Sequence, residues 1–436
     1  MAEKFGDDRT RDMVDHLFRR EAGRMAATLT RILGPGQLDL VEDIVQDALV
    51  QALRVWPYRG LPDNPRAWLI RVARNRALDR LRRSSTLRGK ADDLKKWISQ
   101  SSGEPGRPRE SRFAEELSDD QLAMIFICCH PELPPASRVA LTLKTVCGFS
   151  VPEIARALLS AQPTVAQRLV RAKRMIKRKN LPFQVPPPAA LNQRLDSVLE
   201  AVYLLFNEGY AAHSGEELVR RDLTGEALRL ISLLSAHPLT SKPQVHALAA
   251  LLHLHASRLP AREEDGQIVL LADQDRSRWD QRLIEIGSRH LRQAMRARAL
   301  SRYHLQAAIA ACHLAAPSYD QTDWRKILGL YDALIEIQPS PVFRLNRAVA
   351  LAFVDGVESG LKALQGIEDD PALRDYYLLP ATLADLQRRA GRPGRAAGFY
   401  RRALKCPCSG PERRFLEDKL EQVEAQSSHA IQEDQP

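Results

Sequence analysis

An all-α protein is predicted for this 436-residue chain, on three observations. Apolar residues recur at three- and four-residue spacing along almost the whole length. No convincing run of alternating apolar and polar residues marks a strand. Stretches rich in Gly, Pro and Ser cut the helical pattern into blocks. The length suits two or three domains, and 44% hydrophobic with 27% charged residues describes an ordinary globular composition.

The first block, 10–83, carries three apolar-periodic segments, separated by "GPGQ" (34–37) and by a loop, "PYRGLPDNP" (57–65). Residues 84–117 are rich in Ser, Gly, Pro and charge and are expected to be a linker. A second helical block runs from Ser118 to Lys179, "LPFQVPPP" (181–188) separates it from a third, 189–425, and the tail from Gln426 is expected to be disordered. In the third block "GRPGRAAGFYRRAL" sets Ala396, Tyr400 and Ala403 after Gly391, and part of that arrangement occurs 35 residues earlier around Gly356. A period near 34 residues points to tetratricopeptide-like helical pairs.

The net charge of +10 is not spread evenly. Residues 1–183 hold 33 Lys and Arg against 22 Asp and Glu, so the whole excess lies there. That asymmetry suggests a polyanion-binding part joined to a near-neutral one. Six cysteines at irregular spacing exclude a disulfide framework. The polar start "MAEKFGDDRT" is no signal peptide, and no apolar run approaches the roughly 20 residues of a spanning helix. A cytoplasmic protein with no membrane contact is expected.

Residues 66–83, "RAWLIRVARNRALDRLRR", hold seven arginines and one aspartate. Leu69, Ile70, Ala73, Ala77 and Leu81 recur at helical spacing as a buried stripe, leaving Arg71, Arg74, Asn75 and Arg82 outside. A guanidinium donates two parallel hydrogen bonds to a phosphate. A solvated basic face is the plain alternative. The preceding loop offers Tyr58 and Asn64 and opens onto Trp68, rigid aromatic and amide groups suited to a base held out of its stack.

"GFSVPEIARALLSAQPTVAQRLVRAKRMIKRK" reads as a helix-turn-helix. Ser150 and Glu153 form a capping box, and Ile154, Ala155 and Leu158 face inward. Pro163 opens the second helix, whose Val165, Leu169 and Ala172 face the core. Thr164, Gln167, Arg168, Arg171, Lys173 and Arg174 stay outside, near positions that reach a major groove.

In their order, "LVEDIVQDALVQALRVW", "PRAWLIRVARNRALDRLRR", a polar linker and the helix-turn-helix resemble a bacterial RNA polymerase sigma factor of the extracytoplasmic-function (ECF) type. The third block, with "YLLFNEGY", "DLTGEALRL", "LADQDRSRWD" and "PSPVFRLNRAVAL", resembles the long C-terminal extension of one ECF group, the DUF6596 type. The resemblance implies sigma region 2 over 10–86, a linker over 87–117, region 4 over 118–182, a tetratricopeptide-like domain over 189–425 and a tail over 426–436.

The resemblance also implies roles. Asp43, Gln46 and Asp47, one helix side by their spacing, fall where the family binds the β′ clamp helices of core RNA polymerase, and region 4 would meet the β flap. Residues 58–64 fall on the segment that captures a flipped −10 base. Arg71, Arg74, Asn75, Arg82 and Arg83 fall where the family grips melted promoter DNA, and Gln167, Arg168 and Arg171 on the −35 recognition helix. A DGPF-type protein or another regulator is the expected partner of the C-terminal domain.

Other constellations carry less. Cys128–Cys129–His130 and Cys406–Pro407–Cys408 lack the paired spacing of a structural zinc site and are expected to be thiols of no metal role. His253 and His255, two residues apart, point different ways on a helix. "QDRSRWD" (274–280) reads as a corner held by ion pairs, or as a ligand or polymerase contact. No residue set supports an enzyme, and no cofactor or metal is expected. The expected function is promoter recognition and melting on core polymerase. The rivals are a plain helix-turn-helix activator with a tetratricopeptide sensor and a helical-repeat scaffold for protein partners.

Overall fold

The computed structural model describes residues 21–83, 120–158, 160–210, 221–264 and 266–433. The expected linker therefore lies outside the described residues. Among them the protein is helical, with one two-stranded ribbon, Glu263–Glu264 paired antiparallel with Gln267–Ile268, which the sequence pattern does not announce. Two compact units divide the chain, Met1–Leu204 and Leu205–Pro436.

In the first unit, α1 (21–33) is followed by a 3-10 turn, Pro35–Gln37, that Gly34 enters at φ +93°. Next come α2 (Leu38–Arg59) and α3 (Pro65–Arg83). Leu38, Val41, Ile44, Val45, Ala48, Ala52 and Trp56 make one buried stripe along α2, and Leu69, Ala73 and Ala77 make that of α3. The loop between them is shorter than expected. α2 continues through Pro57 to Arg59, and Gly60, at φ +76°, closes it by donating its N–H to the Trp56 carbonyl. Proline removes one donor but keeps a helical φ, so one so near the helix end is tolerated. Tyr58 thus stands on the last turn of α2, not in the loop.

The same unit continues with α4 (120–128), α5 (Pro135–Thr145), α6 (Val151–Ala157) and α7 (Gln162–Arg178). α4 is buried from Leu122 to Cys129 and is the centre of this part. The capping box forms as read: Ser150 N–H donates to Glu153 Oε2 at 2.7 Å, and Glu153 N–H donates to Ser150 Oγ at 3.4 Å. α7 starts at Gln162, one residue before Pro163, and buries Val165, Leu169, Ala172 and Ile176. Each of the larger side chains contributes about 1.5–3 kcal/mol. Leu158 is half-buried. The thiols of Cys128 and Cys129 lie fully buried against Thr145 and Thr142 hydroxyls at 3.1 and 3.4 Å, and burial raises both, that of Cys129 to about 11.

The α1–α3 and α4–α7 parts touch. Arg31 pairs with Asp120 at 2.9 Å, and α1 presses on the end of α5 at Gly23, where a Cβ would lie 2.1 Å from the Val146 carbonyl oxygen. Gly23→Ala is therefore expected to destabilise the first unit by about 1–3 kcal/mol, read as a lowered denaturant midpoint. α8 (Pro188–Tyr210) begins in this unit: Arg194 Nη2 donates to the Phe126 carbonyl at 2.7 Å, and Arg138 lies 3.5 Å from Glu200. The division from contacts thus falls at Leu204, whereas the sequence boundary at 182–189 assigns all of α8 to the C-terminal domain.

The second unit comprises α9 (Arg221–Ala236), α10 (Pro243–Ala256), α11 (Gln281–Ala294), α12 (Arg302–Ala315), α13 (Trp324–Ile337), α14 (Pro341–Val354), α15 (Val357–Gln365), α16 (Leu378–Arg389), α17 (Pro393–Ala403) and α18 (Gly410–Glu433). Successive helices pack in pairs, and α10, apolar almost all round, is the central one. Ala396, Tyr400 and Ala403 are buried with Leu416 and Val423, as the repeat pattern expects. Gly360 lets α15 meet α14, since a Cβ there would fall 2.6 Å from that of Ala352. α18 runs to Glu433 and so continues into the residues read from the sequence as the tail, where "EAQSSHAIQE" contains several good helix formers and no breaker.

Candidate promoter and polymerase interface

α2 presents an outer face opposite its buried stripe. Asp43 and Gln46 are exposed there and Asp47 is half-buried, so the three predicted residues share one side. The same side continues into Val50 and Leu53, 42% and 56% exposed, and Arg54. An apolar pair thus stands in water beside acidic groups on this side of α2. Sequence reading missed Val50 and Leu53 because apolar residues on a periodic helix count as core. Their positions at +7 and +10 from Asp43 were the available signal.

Tyr58 is 89% exposed at the end of α2. Asn64, also exposed, is the cap of α3: its Oδ1 accepts the Ala67 N–H at 3.0 Å. Trp68 is half-buried and meets Trp56 edge-on, with centroids 5.5 Å apart. Along α3, Arg71, Asn75, Arg76 and Arg80 are exposed and Arg74 is half-buried. Arg66 is held by Glu21 at 3.3 Å. The side chains of Arg82 and Arg83 lie outside the described residues.

On α7, Thr164, Gln167, Arg171 and Arg174 are exposed. Arg168 is half-buried and donates to Ser160 Oγ at 3.2 Å. Lys173 is placed differently. Its Nζ donates to Asp39 Oδ1 at 2.9 Å and Glu42 Oε2 at 2.7 Å, both on the first turns of α2, and its side chain is only 12% exposed. Burial opposes its charge, but the Glu42 and Asp39 carboxylates outweigh that, and its pKa lies above the usual lysine value. A cation of the candidate duplex-reading helix is thus tied to the helix that bears the acidic face. No spacing in the sequence signals a pair more than 130 residues apart.

The family comparisons agree with this layout. Residues 17–86 match Sigma-70 region 2, residues 123–176 match Sigma-70 region 4, and residues 194–295 match a family of unknown function, DUF6596. An uncharacterized protein of Rhizobium meliloti (strain 1021) is 37% identical over 403 residues, covering 91% of this chain and 93% of that one. The probable ECF RNA polymerase sigma factor SigI of Mycobacterium tuberculosis is 28% identical over 245 residues, half of this chain and 81% of that protein. The chain belongs to the ECF sigma factors. This sigma factor carries its DUF6596 segment across the end of its first compact unit, since the match begins at residue 194 within α8. Among its described residues no helix is long and apolar enough to cross a membrane, and no group of three or more His, Cys, Asp or Glu is placed to hold a metal ion.

Proposed function

We propose that this sigma factor docks on core RNA polymerase through the Asp43, Gln46, Asp47, Val50 and Leu53 face of α2. The exposed face of α7 reads a −35 duplex, while Tyr58, the 60–64 turn and the arginine face of α3 capture the separated −10 strand. The observation that carries this reading is the exposure of Arg71 and Asn75 on one side of α3, with Arg76 and Arg80 exposed on another, together with an 89% exposed Tyr58. Arginines supply phosphate affinity, and an aromatic ring in water offers a surface for an unstacked base. Affinity for the open strand over the duplex is what shifts the promoter toward melting. Permanganate footprinting tests this: with core polymerase and this chain, thymines near −10 become reactive, and unreactive thymines on promoters that the chain activates in cells would overturn it.

The Lys173 pair belongs to the same reading. It holds α7 against α2, and α7 enters a groove only after the pair opens. Asp39→Asn combined with Glu42→Gln is expected to strengthen binding to a −35 duplex by about 3- to 10-fold, the yield of a partly buried ion pair. Fluorescence anisotropy reads it, and Asp43→Asn with Asp47→Asn serves as the charge-matched control. Equal gains in both variants would mean that the pair restrains nothing.

The C-terminal unit is, in this proposal, the regulator, with a DGPF-type or other protein as its partner. Truncation after Leu204, which keeps the α8 contacts to Phe126 and Arg138, should change promoter activity in cells. Activity equal to that of the full chain would remove the regulatory role.

A further inference from the structure

The second unit gathers three guanidinium groups and two imidazoles from four short stretches. His255 ends α10, Arg258 and Arg262 follow it, Arg276 stands in the 3-10 turn Arg276–Arg278, and His313 lies in the last turn of α12. All five are half-buried. Aromatic rings fix their planes: Arg262 lies 3.9 Å over the Tyr210 ring and Arg276 lies 4.5 Å over Trp279. His255 meets Tyr210 edge-on at 5.2 Å and His313 meets Trp324 at 5.3 Å.

One edge of each guanidinium is already engaged. Arg262 Nη1 donates to the Tyr210 carbonyl at 2.6 Å, and Arg276 Nη1 donates to the His313 and Ala316 carbonyls at 2.8 and 2.7 Å. Arg258 Nε donates to Gln274 Oε1 at 3.2 Å. These bonds position the groups without neutralising them. Arg276 Nη2, His255 Nδ1 and His313 Nδ1 are buried with no hydrogen-bond partner among the described residues. Among the described residues, the charged neighbours acting on the two imidazoles are cationic. Burial first, then Arg258 and Arg262, depress His255 to about 3, and burial, Arg258 and Arg276 depress His313 to about 4.

Like charges assembled in a half-dry site repel, and buried donors left unpaired cost free energy. A structural corner built from ion pairs has neither feature; Arg278, paired with Glu264 at 3.2 Å, shows what such a corner contact looks like two residues away. We propose that this cluster is the binding site of a small ligand bearing an oxyanion, a phosphoryl or carboxylate group. The open edges of Arg258, Arg262 and Arg276 grip its oxygens and His255 and His313 complete the ring of donors. Guanidinium forks match both anions bidentately. The site stands apart from the promoter reading and does not depend on it.

The test is thermal unfolding and calorimetric titration of the full-length protein with inorganic phosphate and, separately, succinate, each against sodium chloride at equal ionic strength. A saturable rise in Tm with phosphate alone assigns a phosphoryl ligand, with succinate alone a carboxylate, and with both the shared oxyanion chemistry. Arg71→Ala with Arg74→Ala, which alters the first unit alone, should leave that response intact. Arg258→Gln should weaken it about 10-fold and, by removing one repelling charge, keep or raise the Tm in chloride. Arg258→Lys, which keeps the charge but loses the fork, should weaken it less. No response beyond chloride to either anion would overturn the assignment. So would an unchanged response in Arg258→Gln, or a fall in its Tm in chloride.

Discussion

Replacing Arg71 and Arg74 together by alanine is expected to lower open-complex formation by roughly 100-fold or more. Charge-assisted hydrogen bonds are worth about 1.5–3 kcal/mol each, and two such contacts lie on one face. The loss should be specific to strand opening. Core-polymerase binding, proposed above to use α2, should stay within about 2-fold, and the salt dependence of binding to a single-stranded −10 probe should become shallower, by about 0.7 in slope per lost contact. Neither residue belongs to the buried stripe of Leu69, Ala73 and Ala77, so the fold should persist. The measurement is a stopped-flow melting signal from a fluorescent base at −10, with the helical circular dichroism of the variant alongside. Unchanged opening with intact binding would remove α3 from the melting role.

Val50→Glu with Leu53→Glu is expected to weaken binding to core polymerase by at least about 30-fold. Central apolar anchors of an interface are each worth about 2 kcal/mol, and a buried charge in their place is worse. Because both side chains are largely exposed, the variant should fold with an unchanged Tm, which separates docking from stability. Affinity measured by surface-immobilised core enzyme reads the effect. Wild-type affinity would place the docking surface elsewhere.

The parts of this molecule that the sequence disclosed are those written at helical period. The stripes Leu69–Ala73–Ala77 and Val165–Leu169–Ala172 are buried as their spacing requires, and the Ser150–Glu153 box closes the start of α6. These features are local, and local rules settle them. What escaped depends on distance or on ambiguity of role. Lys173 reads as one more outward cation until α2 brings Asp39 and Glu42 to it. Asn64 suits a base contact and a helix cap equally by type, and its Oδ1 caps α3. Val50 and Leu53 carry core chemistry at exposed positions. The "QDRSRWD" stretch holds the ion pair of a structural corner, Arg278 with Glu264, and its Asp275 and Asp280 cap a turn and a helix; a ligand contact at Arg276 is the proposal made above.

The central claim is that this chain confers promoter selection on a polymerase that lacks it. Run-off transcription with purified core RNA polymerase tests it most directly. Genomic fragments added to the core enzyme alone should give no defined starts, and adding the full chain should give discrete transcripts that vanish when Arg71 and Arg74 are alanine. Core enzyme that produces the same transcripts with and without the chain would contradict the account.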